Sequence, residues 1–295
     1  MNFYTPYLEE YDNYRLHYRE CLHLNSESSF LALWGYTENS RIERAYEHGL
    51  YWNRGVIEGR MVNLPPIGEW ERDDWNHILA NSFPEGVVFS FVPEILLRTW
   101  RRKLTGSLAV VEERNTWDYV CGIRDLLELN GKAFKSIRKN IDKFSNSYAF
   151  EYARITPEML PELMEFQTWW YEENVRLGKA DHDLLLEHEY MLVIFKDWGR
   201  LKDVFGACLR IDGKIQAYTV AEELDTYMAS SNALKGNYAY KGIYQAMDYF
   251  FTKDMLADYA FLNLWNDGGY EGLRATKTTS RAKFLITALS QLIGT

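Results

Sequence analysis

Four charged side chains near the carboxy-terminal end have types and spacings that could support acyl transfer. They are Asp267, Glu271, Arg274 and Lys277. If Gly269 or Gly272 turns the chain into a short helix, the last three fall along one helical face, because they lie three residues apart. Transfer of an acyl group from an ester to an amine needs correct positioning, a proton acceptor and positive charge beside the developing oxyanion. We therefore predict a catalytic role for these four residues. The alternative is a salt bridge from an acid to Arg274 that only fixes the loop.

A second group of residues could bind phosphates. Apolar residues at steps of three and four, from Phe134 to Phe144, predict a helix over residues 130–146. The outer face of this helix carries one acid, Asp142, against five cations: Lys132, Lys135, Arg138, Lys139 and Lys143. We predict that this face binds a polyanion, with an ordinary solvated surface as the alternative.

The overall charge makes that local concentration of cations informative. The chain has 33 Lys and Arg residues against 42 Asp and Glu residues, which gives a net charge of −9. Such a chain repels nucleic acid at long range, so binding must come from a dense basic patch. A second cluster of cations comprises Arg98, Arg101, Arg102 and Lys103.

The loop before a predicted helix over Ile243–Met255 is the third candidate site. A protein that binds acyl-CoA commonly uses glycines here, because its backbone amides must approach the pyrophosphate closely. This loop keeps one glycine, Gly242, and has Tyr244 where the next glycine would be, which hinders that approach. We predict that Tyr240, Lys241 and Gly242 contact substrate. We also expect no cofactor, with acetyl-CoA disfavoured as the donor.

Cysteine and histidine usage argues against a metal site. Cys21, Cys121 and Cys208 are widely separated, and His182 and His188 lie six residues apart, which does not bring them together on a helix. The first twenty residues lack the pattern of a secretory signal, and no apolar run approaches the ~18 residues of a membrane span. We therefore expect a cytoplasmic protein without integral membrane association.

The order of elements predicts an α+β fold made of two similar halves. Each half reads as helices, a meander of strands, a helix and a further strand, so we predict domains over residues 1–146 and 147–295. Asp212 and Gly213 predict a type I′ hairpin in the second half. In the first half, Tyr4, Tyr7, Tyr11, Tyr14 and Tyr18 share one helical face, which we interpret as packing rather than a platform for stacking bases.

Two segments carry a resemblance to a known family. The first runs from Asp118 to Lys132 and continues from Arg138 to Phe144, and the second runs from Asn263 to Arg274 and is followed by Lys277. They resemble a bacterial family related to the carboxy-terminal catalytic domain of phosphatidylglycerol lysyltransferases and, more distantly, to Fem-type aminoacyltransferases. The resemblance implies two tandem GNAT-like domains, each with a mixed, mostly antiparallel sheet flanked by helices.

Some positions depart from the pattern of that family. Trp265 stands where an acid is expected, and Ser280 and Ala282 stand where an aromatic residue and a proline are expected. These differences bear on which substrate the protein takes and do not change the expected fold.

Three functions follow from the residues and the resemblance together. The first is transfer of an amino acid from an aminoacyl-tRNA to an amine or hydroxyl of a small molecule or lipid headgroup. The second, favoured by Trp265, is a non-catalytic tandem module that binds a ligand or partner. The third is an acetyl-CoA-dependent N-acetyltransferase, which the Tyr244 loop disfavours.

Overall fold

The computed structural model describes residues 1–21, 25–57, 59–279, 284–286 and 288–293. Two compact units are present. The first comprises Met1–Tyr119, Trp265–Thr278 and Phe284–Thr295, and the second comprises Val120–Leu264 and Thr279–Lys283. Within the described ranges, no helix combines the length and apolar character needed to cross a membrane.

The described residues form helices and strands that we number in chain order. The helices are α1 (Tyr11–Glu20), α2 (Phe30–Gly35), α3 (Trp75–Ser82), α4 (Glu94–Lys103), α5 (Ile123–Glu128), α6 (Lys135–Ser147), α7 (Leu160–Arg176), α8 (His182–Asp197), α9 (Ile243–Met255) and α10 (Glu271–Thr279). The strands are β1 (Glu43–Glu47), β2 (Leu50–Ile57), β3 (Arg60–Asn63), β4 (Val87–Pro93), β5 (Leu108–Glu112), β6 (Asp118–Gly122), β7 (Glu151–Arg154), β8 (Val204–Ile211), β9 (Lys214–Asp225), β10 (Met228–Gly236), β11 (Phe261–Asn263), β12 (Phe284–Ile286) and β13 (Ala288–Ile293).

The sheet of the first unit takes one strand from the far end of the chain. Its order is β1-β2-β3-β4-β13-β5, and only the β3–β4 pair is parallel. Strand β13 lies between β4 and β5, with Leu292 opposite both Val88 and Ala109. The first unit is therefore discontinuous in sequence, because a strand from residues 288–293 completes its sheet.

Three of the five predicted tyrosines lie on α1 and pack inward, whereas Tyr4 and Tyr7 precede that helix and Tyr7 is exposed. Tyr14 and Tyr18 of α1 are buried, and their hydroxyls donate to the carbonyl oxygens of Ser28 at 2.8 Å and Asn25 at 2.6 Å. The fully buried guanidinium of Arg44 lies 4.2 Å from the centroid of the Tyr14 ring. These contacts agree with the packing interpretation, because a buried phenol that has its hydrogen-bond partner offers no face to a base.

The second unit contains the predicted hairpin. Its strands follow the order β6-β11-β10-β9-β8-β7. Asp212 and Gly213, with φ of 52° and 76°, form the turn between β8 and β9, as a type I′ turn requires. Strand β10 pairs in parallel with β11 over Met228–Ser230 alone and then continues to Gly236.

Helices α6 and α9 pack together within the second unit. Phe144 and Ile141 of α6 join Ile243 and Met247 of α9 in one buried core. The compact units consequently place residues 120–146 with the second half of the chain. The α+β class, with mixed sheets flanked by helices, is confirmed. The tandem boundary at residues 146 and 147 stays a prediction.

Gly242 allows the close approach of α6 and α9. Its φ is +93°, and a Cβ added there would overlap the carbonyl oxygen of Asn140. Gly178 has a φ of +68° but has no atom within 4 Å of such a Cβ. Substitutions at the two glycines therefore distinguish the energetic cost of backbone strain from that of steric overlap.

We expect Gly178→Ala to lower the free energy of unfolding by about 1 kcal/mol, through the left-handed backbone alone. Gly242→Ala should lower it by about 3 kcal/mol, because the helices must also move apart. Urea denaturation of the two variants checks this difference. Equal losses would mean that the backbone of α6 does not press on Gly242.

Candidate functional site

Asp267 lies in the loop between β11 and α10 and is completely buried. The Tyr119 hydroxyl donates to its Oδ2 at 2.6 Å. Arg274 donates from Nε to Oδ2 at 2.8 Å and from Nη2 to Oδ1 at 3.0 Å. The amide of Gly269 donates to Oδ1 at 2.9 Å. Both carboxylate oxygens are therefore held by donors from the first unit.

The loop reaches this geometry through two glycines in the left-handed region. Gly268 and Gly269 have φ of 55° and 85°, and α10 begins two residues later. Gly272 lies inside the helix, so the turn occurs at the earlier pair. Glu271, Arg274 and Lys277 are all in α10, as their spacing predicted.

The protonation of Asp267 follows from competing effects. Burial raises the pKa of this carboxyl, but the hydrogen bonds from Arg274, Tyr119 and the Gly269 amide outweigh burial, so the pKa lies well below its usual value. The same ion pair raises the pKa of Arg274. Asp267 is consequently an anion at neutral pH and a poor proton acceptor. This geometry is the one that the loop-fixing alternative describes, and the catalytic role of Asp267 stays a prediction.

The other three predicted catalytic residues have different surroundings. Arg274 also donates from Nη2 to the Asn115 Oδ1 at 2.9 Å. Lys277 donates from Nζ to the carbonyl oxygen of Asn266. Glu271 is exposed in the first turn of α10. The structure thus brings Arg274 and Lys277 of α10 onto the loop that holds Asp267 and leaves Glu271 at the surface.

Glu27 is a member of this site that the sequence did not indicate. It lies in a short 3₁₀ helix, Ser26–Ser28, and its Oε1 accepts a hydrogen bond from the side-chain amide of Asn266. Burial and the negative charge of Asp118 raise the pKa of Glu27 to about 7, against the opposing effects of Asn266 and Lys277. Glu27 is 239 residues from Asn266 in sequence, and no local pattern could have found the pair.

The predicted basic face lies on α6 and the short 3₁₀ helix before it, Lys132–Phe134. Four of its cations are exposed: Lys132, Lys135, Lys139 and Lys143. Arg138 is half-buried, and its Nη1 donates to the carbonyl oxygens of Leu129 and Gly131. Arg138 therefore holds the turn that precedes α6, and its predicted contact with a polyanion stays a prediction.

The second basic cluster is largely neutralised by acids of the first unit. On α4, Arg98 pairs with Glu94 at 2.6 Å, and Arg102 pairs with Glu71 at 2.7 Å. Lys103 pairs with Asp73. These exposed pairs leave little net positive charge for a polyanion.

The glycine loop of the second unit satisfies several of its own backbone amides. The amide of Ala239 donates to the Asn237 side chain at 2.9 Å, and the amides of Tyr240 and Ile243 donate to the carbonyl oxygens of Asn237 and Tyr240. The Tyr244 hydroxyl donates to the carbonyl oxygen of Gly236 at 2.8 Å. Lys241 is exposed, and the Tyr240 ring packs edge-on against Tyr148 at 5.1 Å. The loop is therefore closed by internal contacts.

Replacing Asp267 by Asn should lower the free energy of unfolding by about 3 kcal/mol, because a buried ion pair loses its charge and Arg274 keeps its own. The folded pKa of Asp267 is depressed, so its stabilisation is present above the ordinary value of 3.8 and is lost as the pH falls below it. Denaturation at pH 7 and pH 3 measures both effects, and the deficit of the variant should shrink at pH 3.

Glu128→Gln is the matched control for that measurement. Glu128 pairs with Arg124 at 2.6 Å on an exposed helix, so its loss should be far smaller than that of Asp267→Asn. Equal losses in the two variants at pH 7 would contradict a structural role for the buried pair.

Comparison with known proteins shows the family of this chain. The model of a family described as "Phosphatidylglycerol lysyltransferase, C-terminal" matches residues 19–294. No curated protein sequence matches the chain. A conserved protein of unknown function from Bacteroides thetaiotaomicron VPI-5482 is similar over 100% of both chains, with 20% identity and a TM-score of 0.88.

Two further solved structures share the fold. The C-terminal domain of a putative lysylphosphatidylglycerol synthetase from Agrobacterium fabrum has 14% identity and a TM-score of 0.63, over 97% of this chain and 90% of that one. FemX has 9% identity and a TM-score of 0.62, over 98% and 97% of the two chains. This chain therefore belongs to the family of phosphatidylglycerol lysyltransferase C-terminal domains, as its two signature segments predicted, and is an acyl- or aminoacyltransferase-like protein.

Proposed function

We propose that this protein transfers an amino acid from an aminoacyl-tRNA to an amine or hydroxyl acceptor. The observation that carries the proposal is the closed loop of residues 236–244, in a chain whose family is described as transferring a lysyl group. An acyl-CoA donor needs backbone amides and space for its pyrophosphate at this loop. Here the amides of Ala239, Tyr240 and Ile243 already have acceptors from the chain itself.

Gly242 faces helix α6, whereas binding of acyl-CoA would require this glycine to face a pyrophosphate. The absence of a Cβ at Gly242 admits the carbonyl oxygen of Asn140 from α6. A pyrophosphate would have to displace that helix backbone, and Tyr244 adds a ring bonded to Gly236. These contacts support a donor other than acyl-CoA, and no reaction step is assigned to that cofactor.

The cations of α6 supply a surface for the polyanionic part of such a donor. Lys139 and Lys143 are exposed on the helix whose Asn140 touches Gly242, and exposed Lys241 precedes that glycine. Lys132 and Lys135 extend the surface toward the beginning of the helix. Phosphates of a tRNA acceptor end would bind here through charge alone, because lysines are flexible point charges.

The acceptor is proposed as an amine or hydroxyl of a small molecule or lipid headgroup. The name of the family mentions phosphatidylglycerol, whose headgroup offers hydroxyls. Trp265, with a φ of 62°, stands next to Asn266 where the family is expected to have an acid, and this supports a non-catalytic binding module as the second candidate. The other two departures, Ser280 and Ala282, lie outside the described residues.

Binding of tRNA should weaken with salt. About three phosphate contacts give a slope of roughly −2 to −3 for log affinity against log salt concentration. Lys135→Ala combined with Lys139→Ala should reduce the magnitude of that slope by roughly one to two, because both side chains are exposed and neither packs in the core. Filter binding across a salt series measures the slopes.

Arg98→Ala combined with Arg101→Ala is the matched control, since it removes two exposed cations from α4. Its slope should equal that of the wild type. A wild type without salt-dependent binding to charged or uncharged tRNA would remove the main support for this donor.

Calorimetry should detect no acetyl-CoA binding in the low micromolar range, because the loop amides and the Gly242 space are already used. Tyr244→Gly is the informative variant, since it removes the ring that closes the loop beside Gly236. Low micromolar or tighter binding by the wild type would favour the N-acetyltransferase alternative.

A further inference from the structure

We propose that a recess between α5, α6 and α9 binds the primary ammonium group of a small molecule. The recess lies wholly within the second unit, and the inference does not depend on which acyl donor the protein uses. It follows from a cavity with three oxygen acceptors on one helix face and from a buried hydroxyl that lacks a partner among the described residues.

The recess forms where the end of α5 and the first turns of α6 meet α9. Its volume of about 20 Å³ holds one group of the size of a water molecule or an ammonium. The walls from α5 and α6 are apolar, and the wall from α9 is polar. Leu126, Leu129 and Ile137 form the apolar walls, and Gln245, Asp248 and Thr252 form the polar wall.

The polar wall extends from the surface into the interior of the second unit. Gln245, Asp248 and Thr252 lie three and four residues apart, so they share one face of α9. Gln245 and Asp248 are half-buried, whereas Thr252 is only 1% exposed. Ile137, on the opposite wall, is half-buried as well. A cation from solvent can therefore reach the Asp248 carboxylate.

The hydroxyl of Thr252 supplies an observation independent of the carboxylate. Its Oγ1 is buried and makes no hydrogen bond to the residues that the structure describes. A threonine within a helix can satisfy its hydroxyl with the carbonyl oxygen four residues earlier, but Thr252 does not do so. A buried polar atom without a partner costs stability, so its retention indicates an occupant of the recess that bonds to it.

Asp248 provides the negative charge of the recess, and no charged side chain of α5 or α6 lines it. Arg124 pairs with Glu128 at 2.6 Å, and Arg138 donates to backbone carbonyl oxygens of the turn before α6. Burial raises the pKa of Asp248 to about 6, so this carboxyl is ionised at pH 7.5. A bound cation would supply the opposite charge that the lining of the recess lacks.

The acceptors fit a primary ammonium better than a metal ion. Such a group has three N–H donors and no acceptor. The recess offers the carboxylate of Asp248, the hydroxyl of Thr252 and the side-chain carbonyl of Gln245. A divalent cation takes about six oxygen ligands and would find a single carboxylate here. The apolar walls suit the carbon chain that carries the ammonium.

Titration of the full chain with methylammonium chloride at pH 7.5 tests the site. Tetramethylammonium chloride and potassium chloride, at the same ionic strength, are the comparison salts. Two-dimensional NMR should show saturable shifts of the amides of residues 245–252 with methylammonium alone, because tetramethylammonium has no N–H donor and exceeds the volume of the recess. No saturable shift with methylammonium, or an equal response to either comparison salt, overturns the proposal.

Asp248→Asn should weaken methylammonium binding about 10- to 100-fold, because it removes the charged acceptor. Thr252→Val keeps the shape of the side chain and should weaken binding about 3- to 10-fold. Asp258→Asn, which changes an exposed acid of the same unit outside the recess, should leave the affinity unchanged. Undiminished binding by Asp248→Asn overturns the site.

Urea denaturation without ligand keeps this test independent of a failure to fold. The folded pKa of Asp248 is raised, so ionisation of its carboxyl destabilises the folded state once the pH exceeds about 6. Asp248→Asn should therefore raise the urea midpoint at pH 7.5 and change it less at pH 4. A midpoint that falls at pH 7.5 would mean that the carboxylate already has a stabilising partner, which contradicts an ammonium site.

Discussion

The buried carboxylate of Asp267 is the constraint on which the loop before α10 and the start of that helix depend. An anion without access to water is stable only when donors surround it, and Tyr119, Arg274 and the Gly269 amide are those donors. To bring these donors to the carboxylate, the chain turns at two glycines and α10 leaves the turn at a fixed angle. Because α10 is fixed in this way, Lys277 reaches the Asn266 carbonyl, and Asn266 in turn reaches Glu27.

A different constraint shapes the second unit. Helix α6 approaches the first turn of α9 so closely that only glycine fits at residue 242. A glycine at this place is easily taken for a phosphate cradle, but here it serves the packing of two helices, and the neighbouring amides bond to the loop itself. The same packing brings a row of exposed lysines beside the loop. One contact between helix backbones therefore supports the proposal of a polyanionic donor other than acyl-CoA.

Local signals in the sequence predicted much of the fold and part of the site. The Asp212-Gly213 turn, the periodicity of α6 and α9 and the steps of three in α10 depend on neighbours within a few residues, and the structure contains them all. The insertion of β13 between β4 and β5 depends on pairing between distant segments, which periodicity does not encode. Glu27 was missed for the same reason. The contacts of Arg138 with the carbonyl oxygens of Leu129 and Gly131 could not be predicted either, because a helical wheel gives the face of a side chain but not the atoms that it reaches.

The identity of the acyl donor is the central claim, and a parallel labelling experiment tests it most directly. The wild-type protein is incubated with phosphatidylglycerol vesicles and ethanolamine, once with tRNA charged with radiolabelled amino acids and once with radiolabelled acetyl-CoA. The geometry of the closed loop and the basic helix predicts label in the acceptor only from the charged tRNA. Label that reaches an acceptor from acetyl-CoA and not from tRNA would contradict it.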